Sequence, residues 1–304
     1  MPALTVSNLS KRYKDVVAVD DISFAVFEGE IFGILGPNGA GKTTTLEMIE
    51  GLRKPDVGEI EVLGIDAIHH ANRLKERIGV QLQAVALIPN LTVWETVDMF
   101  SGLYRKRADP DSLLARFALE EKRDARVNQL SGGQRQRLSV ALGLVNDPEI
   151  VFLDEPTTGL DPQARRSLWD TVRELAREGR TVILTTHYME EAEELCDRVA
   201  IMDHGRIITL DTPQNLVAAI AAERTIECTL TANIDSDRLA GLPGAQSVHS
   251  IDGFVTIATT EPTATIRGLL DLEATEGVAV DDIKVRSATL EDVFISLTGR
   301  ALRD

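Results

Sequence analysis

The sequence predicts an α/β fold, a parallel sheet wrapped by helices, followed by a small α+β unit. Three observations carry this expectation. The run Ile31-Phe32-Gly33-Ile34-Leu35 is apolar throughout, as a central strand covered on both faces must be. Ile150 to Leu153 and Thr181 to Leu184 repeat that pattern on either side of an amphipathic helix from about Pro162 to Arg177, which stops at Gly179. Strand, helix, strand in that order makes a parallel pair. Past Leu216-Val217-Ala218-Ala219-Ile220 the pattern changes to short alternating strands and a hairpin.

Taken in order, Leu4 and Val6, Val16 to Val19 and Ile22 to Phe27 read as short strands, with a turn at Glu28-Gly29-Glu30 before the buried one. From about 84 to 146 the chain turns helical and charged. In the last part Thr225 to Thr231 is a strand, Gln246 to Thr260 a hairpin turning at Asp252-Gly253, Thr263 to Ala274 a helix and Val278 to Val285 a strand. The closing helix has a capping pattern, Thr289 with Asp292 three residues on, and an apolar stripe of Leu290, Val293, Phe294 and Leu297. Two domains are expected, 1–220 and 221–304, which agrees with 304 residues at roughly 150 per domain.

Composition narrows the function. The chain is 43% hydrophobic and 26% charged, enough to bury a large core, yet no run approaches the ~18 apolar residues of a membrane span. Met1-Pro2-Ala3-Leu4-Thr5 lacks the basic head of a secretory signal, and Cys196 and Cys228 cannot build a disulfide framework, so a reducing, cytoplasmic setting is expected. The net charge of −16 repels a phosphate backbone, which argues against a nucleic-acid partner. Any anion site must therefore be local, built from backbone amides, a lysine and a metal.

Gly36-Pro37-Asn38-Gly39-Ala40-Gly41-Lys42-Thr43 supplies such a site, because it follows the buried strand directly and precedes a helical pattern. Its glycines let successive amides turn inward toward phosphate oxygens, and the helix opening at Gly41 with Lys42, Thr43 and Thr44 points its positive end at the same place. Lys42 reaches the β- and γ-phosphates, and the Thr43 hydroxyl is a Mg²⁺ ligand. Asp154-Glu155 ends the strand Ile150 to Leu153, where α/β ligands bind; Asp154 suits Mg²⁺ and Glu155 a general base.

About twenty residues upstream stands Leu130-Ser131-Gly132-Gly133-Gln134, and with it the sequence resembles the ATP-binding cassette (ABC) family over roughly residues 3–215. The resemblance implies a P-loop NTPase core with a parallel sheet, an antiparallel β subdomain and a helical subdomain. It also implies ATP and Mg²⁺ as cofactors, ATP hydrolysis as the activity, and a head-to-tail dimer in which Ser131, Gly132, Gly133 and Gln134 meet the nucleotide of the opposite copy. Tyr13 resembles the aromatic that stacks on adenine, though a lone strand-surface tyrosine reads the same way. Gln83 resembles the glutamine that senses Mg²⁺ and the attacking water; Gln81 shares its face by strand period, and placement at the strand end favours Gln83. Asp161 matches the loop that crosses the dimer interface, where Gly159 replaces the family's usual alanine. His187 resembles the switch histidine at the γ-phosphate.

His187-Tyr188-Met189-Glu190-Glu191-Ala192, the extra C-terminal domain and the ending Thr289 to Phe294 are similar to the ATPase subunits of daunorubicin-resistance-type multidrug exporters. That likeness implies an integral-membrane permease as partner, docked near Gln83 to Trp94 where Leu87, Ile88, Leu91 and Val93 are more apolar than a free loop needs, and a place on the cytoplasmic face of the membrane. The substrate class would be drug-like or lipid-like. A soluble ABC ATPase acting on ribosomes or DNA, and an ATP-holding regulatory module without turnover, are the competing readings; a single uninterrupted cassette argues against the first and intact Glu155 and His187 against the second. Other residues read as structural: His69 and His70 solvated, Cys196, Cys228, Trp94 and Trp169 in packing, and Glu190 to Glu194 as one wet helix face.

Overall fold

The computed structural model describes residues 1–81, 87–220, 224–231, 234, 236–251, 253–286 and 288–298. The chain divides into two compact units, Met1–Pro213 and Gln214–Ala301. The boundary falls ahead of the apolar run at 216–220, which is helical and goes with the second unit.

The first unit opens with β1 (Pro2–Tyr13), β2 (Val16–Phe27), β3 (Ile31–Leu35), α1 (Lys42–Ile49), β4 (Val57–Val62), β5 (Ile65–Asp66), α2 (Ala71–Leu74) and β6 (Ile78–Gln81). Three helices follow, α3 (Val93–Ser101), α4 (Pro110–Arg116) and α5 (Gly132–Leu142). The chain then alternates through β7 (Ile150–Asp154), α6 (Pro162–Arg177), β8 (Thr181–Thr186), α7 (Met189–Leu195), β9 (Arg198–Asp203), β10 (Arg206–Asp211) and α8 (Pro213–Ile220). Six strands form one sheet in the order β10-β9-β3-β8-β7-β6, all parallel except the β10 edge. The middle strands β3, β7 and β8 are buried at every position, which is why their sequences carry no alternation.

A second, antiparallel sheet runs β2-β1-β4-β5. Its first two strands are twelve residues each, not the short strands that the sequence suggests. Register irregularities between Val6 and Leu9 and again up to Arg12 interrupt the two-residue alternation, so one bent strand reads as several. Both sheets share one core with α1: Leu4, Val6, Val26 and Ile60 from the antiparallel sheet meet Phe32, Ile34, Leu46 and Phe152. Phe24 stacks on Phe32 across it with ring centroids 5.3 Å apart. Backbone bonds from Asp20 to Gly205 and from Gly205 to Ala40 tie the β2 edge to the start of α1.

The helical stretch is held by its caps. Thr92 and Glu95 form a capping box at α3, and Asp109 caps α4 with Pro110 at the first helical position. Of the four apolar residues expected to await a partner here, Val93 is wholly buried in the unit's own interior, while Ile88 is exposed.

In the second unit β11 (Arg224–Leu230), α9 (Ser236–Ala240), β12 (Ala245–Ile251), β13 (Phe254–Thr259), α10 (Pro262–Glu276), β14 (Val280–Arg286) and α11 (Leu290–Thr298) follow in sequence. The strands form an antiparallel sheet, β12-β13-β11-β14. Ile226, Cys228, Val255 and Ile257 from one face of that sheet pack with Leu239 and Leu269 from the helices. At the start of α11 the Thr289 amide and hydroxyl both donate to Asp292, which Arg286 also holds at 3.0 Å. Leu290, Val293 and Phe294 are buried, but Leu297 of the expected stripe is largely exposed.

Candidate functional site

β3 runs into the loop Gly36 to Gly41, whose glycines are demanded by two different constraints. Gly39 has φ +82° in open space, so only its backbone conformation excludes a side chain. Gly41 has φ +105° and a Cβ there would lie 2.3 Å from the Ala18 carbonyl oxygen, so it is excluded sterically as well. Gly41 is also the N-cap of α1, and no side chain caps that helix. The first-turn amides of α1 therefore remain available to an anion. Asn38 is exposed at the loop's tip, Ala40 is buried beneath it, and Thr44 is half-buried in the first turn.

Lys42 is 4% exposed and its ammonium donates to the Gly36 carbonyl at 2.9 Å and the Pro37 carbonyl at 3.1 Å. It also stands 3.3 Å from Glu155 Oε1. Burial pushes the lysine pKa down, and the neighbouring Glu155 and Asp154 carboxylates oppose that shift. Asp154 accepts hydrogen bonds from Thr185 Oγ1 and, at 3.2 Å, from Thr43 Oγ1. Burial raises its pKa in spite of those donors.

Glu155 is placed by backbone strain. Its φ is +49°, in the left-handed region that non-glycine residues rarely adopt, and its amide is held by the Thr185 hydroxyl at 3.0 Å. The carboxylate so aimed has Lys42 at Oε1, while Oε2 accepts from the Thr158 hydroxyl at 3.2 Å and lies 3.2 Å from His187 Nδ1. The imidazole is out of line for a hydrogen bond. Lys42, Thr43, Asp154, Glu155 and His187 thus come together at the carboxyl ends of β3, β7 and β8, where the crevice of a parallel sheet binds ligands.

Thr43 and Asp154 offer hard oxygen donors, the kind Mg²⁺ takes together with phosphate oxygens. Among the described residues no three His, Cys, Asp or Glu side chains are grouped to hold a metal alone. Gln83 lies outside the described residues; Gln81 is 1% exposed at the end of β6.

Ser131, Gly132, Gly133 and Gln134 begin α5. Ser131 Oγ accepts from the Gln134 amide at 3.2 Å while Gln134 Oε1 accepts from the Ser131 amide at 2.9 Å, a closed capping box on an exposed helix end. One turn on, Gln136 donates to the Pro156 carbonyl at 2.8 Å, which ties α5 to the loop leaving Glu155. The motif reading did not single out Gln136, although its place on the same helix face as Gly132 offered a signal. Asp161 caps α6 through the Ala164 amide at 2.8 Å. Tyr13 ends β1 partly exposed, with Arg53 at 5.3 Å and Lys11 at 5.6 Å from its ring centroid, so cations already lie against its π-face.

The run Glu190 to Glu194 is not one wet face. Glu191 has no exposure and accepts from Trp169 Nε1 at 3.0 Å, because α7 packs that side of its turn inward against α6.

Set beside known proteins, residues 19–158 match the ABC transporter family. The chain is 42% identical to the Nod factor export ATP-binding protein I of Ralstonia nicotianae, over 100% of this chain and 96% of that one. It is 39% identical to the daunorubicin resistance ATP-binding protein DrrA3 of Streptomyces coeruleorubidus, over 98% and 97%. Its fold matches the dimeric post-hydrolysis ATP-binding cassette MJ0796 bound to ADP and Pi with a TM-score of 0.64 and 29% identity, covering 69% of this chain and 98% of that one. The chain belongs to the ABC transporter ATPase family. It is an ATP-binding ATPase with the P-loop nucleotide-binding fold of that family. Among the described residues no helix is long and apolar enough to cross a membrane.

Proposed function

We propose that the chain is the ATP-hydrolysing subunit of an exporter, energising passage of a drug-like or lipid-like molecule through a separate membrane permease. Relatives named for Nod factor export and daunorubicin resistance support this reading, since they match along the whole chain, second unit included. Two copies meet head to tail, each offering its Ser131–Gln134 helix end to the nucleotide cradled by the other's Gly36–Thr44 loop. Tyr13 supports the adenine, Asp161 lies at the crossing between copies, and the permease holds the pair at the cytoplasmic face of the membrane.

The observation that carries the chemistry is Glu155, buried and strained between Lys42 and His187. Its carboxylate takes the proton of the attacking water, and His187 meets the γ-phosphate. Thr43, Asp154 and Gln83 would hold Mg²⁺, which neutralises charge developing on the phosphates. The test is Glu155→Gln. MgATP binding should persist while hydrolysis falls by about 10²-fold or more, the usual worth of a positioned base. Turnover close to wild type would move the base elsewhere.

The second unit supports the dimer and regulates it without catalytic residues. A chain ending at Ile220 should keep MgATP affinity yet need higher protein concentration for the same specific ATPase activity. Equal specific activity at every concentration would leave the second unit with no such role.

A further inference from the structure

Glu191 sits in α7, four residues past His187, and is wholly buried although the run around it carries four carboxylates in five residues. An ionisable group in that position costs stability unless its partners hold it. Its hydrogen-bond partner comes from the neighbouring helix. Trp169 Nε1, on α6, donates to Oε1 at 3.0 Å. The Thr186 and Thr157 hydroxyls and the more distant Arg165 also favour the charged form, against a burial effect that raises the pKa.

Two of the groups around it, Thr186 and Thr157, stand within two residues of His187 and Glu155 in the sequence. Thr186 precedes His187, and its hydroxyl accepts from the Tyr188 amide at 2.9 Å, which shapes the turn that presents the imidazole. Thr157 lies in the turn after Glu155, beside the Thr158 that bonds Glu155 Oε2. Trp169 belongs to the helix that begins at Asp161.

We propose that Glu191 is a positioning residue for His187: wholly buried near the start of α7 and bonded to Trp169, it pins that helix to α6 and so holds the turn, shaped by the bond from the Tyr188 amide to Thr186, that presents the imidazole. The proposal rests on the reading that Glu155 and His187 act on ATP. A role confined to packing has a different consequence: Glu191→Leu leaves the buried Trp169 donor without its acceptor, which lowers melting temperature but not kcat.

The experiment therefore uses the full chain with Glu191→Leu, Glu191→Gln and Trp169→Phe, reading kcat, MgATP affinity by calorimetry and melting temperature. Glu191→Leu should lower kcat about tenfold or more, as misplaced reacting groups do, with affinity within about twofold of wild type. Glu191→Gln, whose amide oxygen still accepts from Trp169, should recover most of that loss. Trp169→Phe, which removes the donor together with part of the buried ring, should lower kcat with affinity unchanged. It carries the test if the leucine variant does not fold.

In a His187→Ala background, Glu191→Leu or Trp169→Phe should change the residual single-turnover rate by less than about twofold, since coupled residues are non-additive. Wild-type kcat in both Glu191→Leu and Trp169→Phe, or equal losses with and without His187, would overturn the positioning role. His187→Ala turning over at the wild-type rate would instead sink the reading of the site itself.

Discussion

α1 and α5 both start at glycine-rich motifs, yet their ends are finished in opposite ways. α1 starts from Gly41 in a left-handed conformation with no side-chain cap, its lysine folded into a buried pocket of carboxylates. α5 starts from exposed Ser131, whose capping box with Gln134 already satisfies one first-turn amide. An uncapped, enclosed helix end is a cradle organised within one chain. A capped, solvent-facing one is stable by itself and offers its remaining glycine amides outward. On that difference rests the division of labour proposed here, in which α1 binds the chain's own nucleotide and α5 serves a second copy's.

The largest effect expected is from Lys42→Ala. It removes the cation facing the phosphates and leaves Glu155 and Asp154 buried with less compensation, so MgATP affinity should fall by about tenfold or more per lost charge-assisted bond. Calorimetric titration measures it; unchanged affinity would show that the amides of the loop suffice alone. Next is Ser131→Arg, which should leave MgATP binding to one chain within about twofold, because α5 is outside the cradle, and cut hydrolysis about 10²-fold by blocking closure on the opposite nucleotide. A mixture with Lys42→Ala chains should recover at most one of two sites. Full activity of either the variant or the mixture would erase the distinction between the two helix ends.

The same contrast explains what the sequence disclosed. The phosphate loop was legible because its constraints are local: φ at Gly39 and Gly41, and a buried strand directly before it. The parallel sheet was legible for a similar reason, since β3, β7 and β8 are buried at every position and each carries an unbroken run of apolar residues or nearly so. Glu191 was not, because its donor Trp169 is 22 residues away and only the packing of α7 on α6 brings them together. The long strands β1 and β2 were read as fragments because a bulge reverses the face of each later residue. Strain at Glu155 has no signature in composition at all; it follows from Thr185 on the neighbouring strand holding the Glu155 amide.

The last effect falls on stability and leaves the nucleotide chemistry aside: it concerns the other end of α1, where the contrast extends to charge. Glu50 is the C-cap residue, 2% exposed, and among the described residues neither carboxylate oxygen has a hydrogen-bond partner. Burial, then the charges of Asp154 and Glu47, push its pKa up to about 8. A carboxylate at a helix C-terminus also opposes the macrodipole. Since the folded chain holds this proton at pH values where the unfolded chain has released it, stability falls as pH rises from the ordinary glutamate range to about 8, by at most ~1.4 kcal/mol per pH unit, and levels off above. Glu50→Gln carries no titrating proton there, so it should melt close to wild type at pH 5 and above it at pH 8.5. Melting curves of both proteins across that interval, without nucleotide, decide the matter. A difference between the two that stays constant with pH would mean that Glu50 is ionised in the folded chain and that α1 bears its charge without cost.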